Sequence, residues 1–525
     1  MIQLFSELWA GGGLAGASII ALFISVFTIF CASWIASSLR KTPFTLPPGP
    51  RGLPILGYLP FIGTDLHITF AKLAGLYGPV FKLRLGNKLC VVVSSPALVK
   101  EMVRHKDTIF GNRDGSIAAL IGFDGGCDIV LQDYGPEWRK LRKHLAHEML
   151  SNASIDACYE KRREGIQLGI KQVYRNIGEP VNIGHIMLLT IVDAVIRMVW
   201  SGSILESNQY SSVEGSDLKQ LLAEFIMLLD CPNISDFFPA LAWLDLQSVA
   251  KRMKSANVRI NKILDGAIDE RRKLSRATDE NVNGRRDLLQ YLLDLKDRGD
   301  SHSSLSMNQL KALLKDLVIG GTETTATIAE WALSELLRHP EILKLVHEEL
   351  TQVVGLDAMV EEFHLPKLHY LSAVVKETHR LHPVAPFTQT TLPTRCPSET
   401  TDIGGYTIPK GTRTFINAWS IHRDAQLWDR PLEFRPERFL DCPGKWDYAG
   451  NDFRYLPFGS GRRVCPGLPL AKRMQMYVLA SFLHCFKWEV LKGEEIDVSE
   501  TFGIVLKKAV PLVAVPTPRL SNLEL

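Results

Sequence analysis

The stretch Phe458-Gly459-Ser460-Gly461-Arg462-Arg463-Val464-Cys465-Pro466-Gly467 fits the pattern F-x-x-G-x-R-x-C-x-G, in which a cysteine thiolate is offered to a haem iron. A thiolate axial ligand pushes electron density onto the iron and favours O–O cleavage, which a neutral imidazole does less well. Glycines at 461 and 467 suit a backbone that turns tightly and presses against a flat macrocycle beneath the sulfur. Pro466 removes one N–H beside the ligand. Backbone N–H groups aimed at the sulfur would stabilise its anion, and Arg463 is placed to meet a haem propionate. The bland alternative is a buried structural cysteine, since free Cys often packs as a small hydrophobe.

Working outward, length and composition describe a globular chain with a large core. Of 525 residues, 46% are hydrophobic and 22% charged, and a net charge of +3 is too small to imply a nucleic-acid partner. Nine cysteines are scattered, odd in number and without C-x-x-C spacing, which argues against a zinc site or a disulfide framework and for a reducing compartment.

No charged residue lies between Leu8 and Leu39, and the run Ile19 to Ile35 is dense in Ile, Phe, Val and Trp. That is enough for a membrane span, which needs about 20 apolar residues. Arg40 and Lys41 follow at once, while the leading segment carries only Glu7, so the positive-inside rule puts the remainder in the cytosol. A cleaved signal peptide would have a basic start and a shorter apolar stretch. The expected organisation is a membrane anchor over 1–41 and a catalytic domain over 42–525.

Next comes Leu46-Pro47-Pro48-Gly49-Pro50, a stiff spacer that holds the body off the membrane. Val80 to Leu85 alternates apolar and polar residues and Leu89 to Val93 is an apolar run, which predicts a hairpin around Gly86-Asn87. Helical periods dominate from residue 95 almost to Gly355, and strand signals return at Tyr406–Ile408, Thr414–Ile416 and near Val510–Val515.

Three further constellations carry chemistry. Gly320-Gly321-Thr322-Glu323-Thr324-Thr325 lies in a long helix from about Met307 to Arg338. Two glycines cost a helix about 1 kcal/mol each relative to alanine and should loosen it locally. A widened turn would aim the Thr324 hydroxyl into an oxygen-binding groove, with Glu323 carrying protons inward. The alternative is an ordinary helix whose Thr side chains bond back to the i−4 carbonyls. Glu377 and Arg380, three apart, share a helix face, and Arg438 in Pro436-Glu437-Arg438-Phe439 supplies a second guanidinium able to share that carboxylate. Spacing alone favours an exposed helical ion pair. Trp138 and Arg142, one turn apart, could both bind a propionate, leaving Arg139, Lys140 and Lys143 facing outward to dock an acidic electron donor; a solvated basic face fits equally well.

Together, Trp138/Arg142, Gly321 to Thr325, Glu377/Arg380, Arg438 and Phe458 to Gly467 resemble the cytochrome P-450 superfamily from about Leu46 to the C-terminus. The resemblance implies one mainly α fold with small β-sheets, preceded by an N-terminal transmembrane helix, with haem b between the Thr324 helix and the Cys465 loop. It also implies an endoplasmic reticulum anchor and electrons from NADPH through a separate NADPH–cytochrome reductase. The Leu46 spacer, Tyr134 to Lys143 and Phe434 to Phe439 look most like plant microsomal members. Cys396-Pro397-Ser398-Glu399-Thr400 with Gly404-Gly405-Tyr406 resembles a subgroup that includes sesquiterpene hydroxylases acting on cadinene- and valencene-like olefins. Two departures stand out: Glu323 replaces a commoner Asp, and Phe387-Thr388-Gln389-Thr390-Thr391 looks long, which puts Arg395 in doubt as a propionate partner.

By the same resemblance the pocket is lined from Ile117 to Phe123, Ile226 to Leu229, Leu313, Leu317, Gly320, Val384 to Phe387 and Phe502 to Val505. These are mostly apolar, so a neutral hydrophobic substrate held by shape is expected. The expected activity is an O2- and NADPH-dependent hydroxylation of a small plant secondary metabolite, a terpenoid first and a phenolic or flavonoid as the alternative. An O2-independent thiolate-haem isomerase or dehydratase would not need the Glu323-Thr324 pair, nor would a haem sensor need the glycine-loosened helix.

Overall fold

The computed structural model describes residues 45–203, 212–277, 287–297, 304–387, 394–440 and 446–520, together with Ser18, Ala21, Ile24, Ser25, Thr28 and Ala32. Over these residues the chain is mainly helical with four small sheets. The helices that place the site are α1 (Leu66–Tyr77), α2 (Ile117–Gly122), α3 (Pro136–Lys143), α4 (Tyr159–Tyr174), α5 (Ile183–Trp200), α6 (Ser212–Asp230), α7 (Val249–Ala277), α8 (Met307–Arg338), α9 (His369–Leu381) and α10 (Leu468–Cys485).

Helix α8 starts at a capping box: Ser306 Oγ accepts the Gln309 N–H while the Gln309 side chain accepts the Ser306 N–H. It packs against α5 and α10, and α5 packs against α4. Gly165 and Gly169 on α4 permit that last approach, because a Cβ at 165 would lie 2.7 Å from Ala194 Cα and one at 169 would lie 2.1 Å from Thr190 Oγ1. Helix α5 is long and apolar enough to cross a membrane by composition, yet most of its side chains are buried in the core and it holds a buried Asp193–Arg197 pair at 2.7 Å. The anchor expected over 1–41 falls almost wholly outside the described residues; those six that are described are helical and exposed, with Ser25 Oγ donating to Ala21 O at 2.7 Å.

Strands β1 (Val80–Leu85) and β2 (Lys88–Val93) pair antiparallel, with Leu85 opposite Lys88, so the turn falls on Gly86-Asn87 as the alternation predicts. The larger sheet is completed by β3 (Asn112–Asp114), β5 (Thr394–Cys396) and β8 (Arg413–Ile416) in the order β1-β2-β8-β5-β3. A second sheet joins β4 (Val181–Asn182), β12 (Val513–Pro518) and β9 (Phe486–Val490), and β6 (Thr401–Ile403)–β7 (Tyr406–Ile408) and β10 (Glu500–Thr501)–β11 (Lys507–Lys508) form hairpins. The proline segment is docked rather than a free spacer: Lys82 N–H donates to Pro48 O at 2.8 Å, Thr407 N–H donates to Thr45 O at 2.9 Å, and Pro47 is buried.

Candidate functional site

Cys465 sits where a loop becomes α10, and its sulfur accepts the backbone N–H groups of Gly467, the N-cap, and Leu468, the first helical residue. A helix N-terminus favours an anion at that point. Burial pushes the thiol up from its ordinary value, while those N–H groups and the nearby Arg142 guanidinium pull it down. The sulfur is desolvated yet the residue keeps accessible surface, as expected of a group that lines a space rather than one packed on all sides. Gly461 has φ +75°, and a Cβ there would lie 2.9 Å from Asp107 Oδ1 and 3.0 Å from Val103 O. It therefore requires a left-handed turn pressed on Asp107, a constraint the sequence did not indicate. A Cβ at Gly467 would lie 3.7 Å from the Cys465 sulfur, an ordinary contact. Phe458 packs at a tilt against His379 and edge-on against Tyr448, with ring centroids at 5.2 and 5.3 Å.

The predicted cations converge on this loop. Arg142 Nη1 donates to Val464 O at 2.6 Å. Trp138 Nε1 donates to Ile129 O at 3.1 Å, and its ring lies 4.5 Å from the Arg463 guanidinium carbon. Arg463 spends its donors on Gly111 O, Ile129 O and Gln132 O. Arg395, left in doubt as a propionate partner, lies in the same layer: Nη2 donates to Ser460 O at 3.1 Å and Nη1 approaches Asp107 Oδ1 at 3.4 Å. Residues 388–393 of that segment lie outside the described residues. Burial and the neighbouring Arg395 push Arg463 down to about 9, and burial with Arg463 and Arg395 holds Arg113 well below its ordinary value. Among the described residues, Arg395 Nε is buried with no partner. Three mutually repelling buried guanidiniums beside a desolvated sulfur fit a planar group carrying two acids, whose charge would relieve the repulsion.

Helix α8 is regular through Gly320-Gly321, so the glycine pair does not widen it. The tertiary packing of its flanks outweighs the propensity cost. Thr324 Oγ1 donates to Gly320 O at 2.8 Å and Thr325 Oγ1 to Gly321 O at 2.9 Å. Gly320 is exposed and a Cβ there would meet nothing within 4 Å, so this face of α8 opens onto unfilled space, while Leu313, Leu314, Leu317 and Val318 are buried. Glu323 is ion-paired with Lys507 of β11, a partner the sequence gave no sign of, and Thr324 bonds elsewhere.

The exposed pair favoured by spacing is instead fully buried. Arg380 Nε and Nη2 donate to Glu377 at 2.7 and 2.8 Å, and Arg438 Nε donates to Glu377 Oε1 at 3.0 Å. Arg380 also donates to His422 O and Pro431 O, tying α9 to the segment that precedes the thiolate loop. An aromatic layer of Trp428, Phe439, Trp446, Tyr448 and Tyr455 covers this triad and abuts Phe458.

Of the expected pocket walls, Phe123 meets Phe225 of α6 edge-on at 5.8 Å, and Phe387 meets Phe502 at 5.8 Å. The segment Cys396 to Tyr406 forms β5 and the β6–β7 hairpin; Gly404 N–H donates to Glu101 Oε2 at 3.1 Å and a Cβ at Gly404 would lie 2.9 Å from Leu98. None of those partners belongs to the expected walls, so this segment carries little about substrate.

The cytochrome P450 family model matches residues 47–514. A flavonoid 3'-monooxygenase of Crocosmia x crocosmiiflora is 38% identical over 515 residues, covering 95% of this chain and 98% of that one. Carnosic acid synthase of Rosmarinus officinalis is 36% identical over 513 residues, covering 94% and 99%. A zebra fish cytochrome P450 solved with progesterone superposes with a TM-score of 0.73 at 27% identity, covering 87% of this chain and all of that one. These relatives include flavonoid hydroxylases, and they do not support the sesquiterpene hydroxylase subgroup expected from Cys396 to Tyr406.

Proposed function

Because the chain belongs to the cytochrome P450 family, and so is a haem-thiolate monooxygenase of plant secondary metabolism supplied with electrons from NADPH through a reductase, we propose that it hydroxylates an aromatic ring of a flavonoid-type phenolic, with Cys465 as the axial ligand. The observation that carries the ligand assignment is the sulfur capping α10 beside Arg142. The substrate assignment rests on the flavonoid 3'- and 3',5'-hydroxylases among the relatives, at 34 to 38% identity. Phe123, Phe387 and Phe502 fall in the segments read as pocket walls, and aromatic side chains there suit a flat ring system.

The haem supplies O2 activation and transfer of one oxygen atom. Everything else belongs to side chains of this chain. Arg463, Arg395, Arg142 and Trp138 would hold its acidic edge by exchanging backbone carbonyls that they bind here for the two acids, and the Gly467 and Leu468 N–H groups lower the cost of a sulfur anion that burial alone opposes. Thr324 presents a hydroxyl oxygen at the open face of α8, and Glu323 holds an exchangeable proton site one residue away, reached from solvent past the half-exposed Lys507. The endoplasmic reticulum anchor is assigned to the apolar run in 1–41. Exposed Ile55, Phe61 and Trp243 support a membrane-facing side, and the β1–β2 turn bridges their segments, with Gly86 N–H donating to Leu56 O at 3.1 Å and Asn87 N–H to Phe237 O at 3.0 Å. Outward-facing Arg139 and Lys143 on α3 are the proposed docking cations for the reductase.

Cys465→His should abolish turnover and move the Soret band of the reduced, carbon monoxide-treated protein to that of an imidazole-ligated haem. An unchanged band would remove Cys465 from the iron. Microsomes carrying the wild-type chain, NADPH and reductase should add a hydroxyl to flavonoids lacking one at the 3' position. Turnover of olefinic terpenes with none of flavonoids would overturn the substrate assignment.

A further inference from the structure

Two neighbouring side chains of α8 grip opposite ends of one loop. Lys315, buried at 2% exposure, donates to Gly122 O at 2.9 Å, Asp124 Oδ2 at 2.9 Å and Asn257 Oδ1 at 2.7 Å. Asn257 on α7 returns the contact, donating to Ile121 O at 3.0 Å and Asp124 Oδ1 at 2.8 Å. The next residue, Asp316, accepts the Ile129 N–H on Oδ2 at 3.1 Å. Between the two grips the chain passes through Gly125 and Gly126, at φ +85° and +82°.

The gripped loop joins two parts of the site. At one end, Phe123 packs edge-on against Phe225, and a Cβ at Gly122 would lie 2.6 Å from the Phe225 ring and 3.2 Å from Met253 Sδ, so the loop lies directly under α6 and α7. At the other end, Ile129 O receives both the Trp138 indole and the Arg463 guanidinium of the thiolate loop. All three donors of the Lys315 ammonium are satisfied only while the loop is in place. Lifting it would strand a buried cation, so the closed loop and Lys315 depend on one another.

We propose that Lys315 and Asp316 are positioning residues forming a two-point clasp that holds loop 122–129 shut as a wall of the substrate pocket, and that this clasp sets how firmly an aromatic substrate is retained. The proposal rests on the reading of Ile117 to Phe123 as pocket wall. On that reading Phe123, packed against Phe225, is the wall side chain that the clasp orients, and Lys315 and Asp316 act through it without touching the reacting atoms.

The test compares the full-length protein with Lys315→Met, Asn257→Ala, Asp316→Leu and Asp316→Asn, by amide hydrogen exchange across residues 120–131, substrate titration and steady-state kinetics. Lys315→Met, Asn257→Ala and Asp316→Leu should speed exchange in the loop by about tenfold and raise substrate Kd and KM by a similar factor, with kcat changing less than about threefold. Asp316→Asn keeps an acceptor for the Ile129 N–H and should stay near wild type. If Lys315→Met fails to fold, the Asn257 and Asp316 variants carry the same comparison. Unchanged exchange overturns the clasp, and faster exchange with unchanged Kd and KM overturns its role in retention. Because exchange needs no substrate, failure of the flavonoid assignment would leave the loop result standing and show separately as absent flavonoid turnover by the wild type.

Discussion

At the residue scale the sharpest assignments concern Glu323 and Thr324, which the sequence pairs as a proton relay and the structure holds apart. Thr324 donates its only hydroxyl proton to Gly320 O, leaving the oxygen's lone pairs as acceptors, and Glu323 is pinned by Lys507. A relay through these residues therefore requires Glu323 to exchange Lys507 for Thr324 or an intervening water. Thr324→Ala removes the hydroxyl without harming the helix, since alanine is the better helix former and back-bonding to i−4 adds little. The expected outcome is NADPH consumption near wild type with product per NADPH reduced about tenfold or more and the balance appearing as peroxide. Measured product and peroxide yields decide it, and unchanged coupling would remove Thr324 from proton delivery.

At the scale of elements, the triad of Glu377, Arg380 and Arg438 shows how a helix is locked to a distant segment. One carboxylate buried with two guanidiniums cannot lose its charge cheaply, because truncation strands both cations. Glu377→Gln should destabilise the fold by about 3–5 kcal/mol, read as a lowered denaturant midpoint, with Arg438→Lys milder because it keeps a charge but not the fork. The partnership of Glu377 and Arg380 was legible in the sequence as i, i+3 spacing, but its burial was not. Burial comes from Trp428, Phe439, Trp446 and Tyr455, aromatic residues some fifty or more positions downstream whose convergence no local pattern encodes. The same distinction runs through the molecule. The β1–β2 hairpin and the span of α8 follow from alternation, turn residues and periodicity, and Cys465 follows from a fixed spacing. The partners Lys507, Asp107 and Arg395 arrive from strands and a turn remote in sequence, and the regularity of α8 across two glycines reflects packing that local propensity does not contain.

At the scale of the whole molecule, buried histidines set how the fold answers acid. Burial pushes His379 and His484 down to about 4 and His422 to about 3, the last helped by the Arg380 and Arg423 cations. His422 Nε2 accepts the Leu456 N–H at 2.9 Å, a bond that only the neutral ring can make on that nitrogen. A folded-state pKa depressed below the unfolded value of about 6.5 means the unfolded chain binds more protons, so this stability is present above that value and drains as pH falls toward the folded pKa. Glu500 adds to it at lower pH: burial pushes its carboxyl up, but hydrogen bonds with His382 and His67 and the Arg423 cation override this and hold it well below the carboxylate range, so its contribution is lost only below about pH 4. Acid sensitivity should therefore begin near pH 6.5, before most carboxylates titrate, with His422 contributing on the order of 3 kcal/mol by about pH 4. His422→Gln costs stability at neutral pH but has no proton to gain, so the gap between its unfolding midpoint and that of the wild type should narrow as pH is lowered from about 7 to about 4.5. Parallel midpoint curves for the two proteins over that range would show that His422 takes up its proton in the folded state as readily as in the unfolded chain, and that the junction of Arg380, Arg423 and the Leu456 backbone tolerates a third cation.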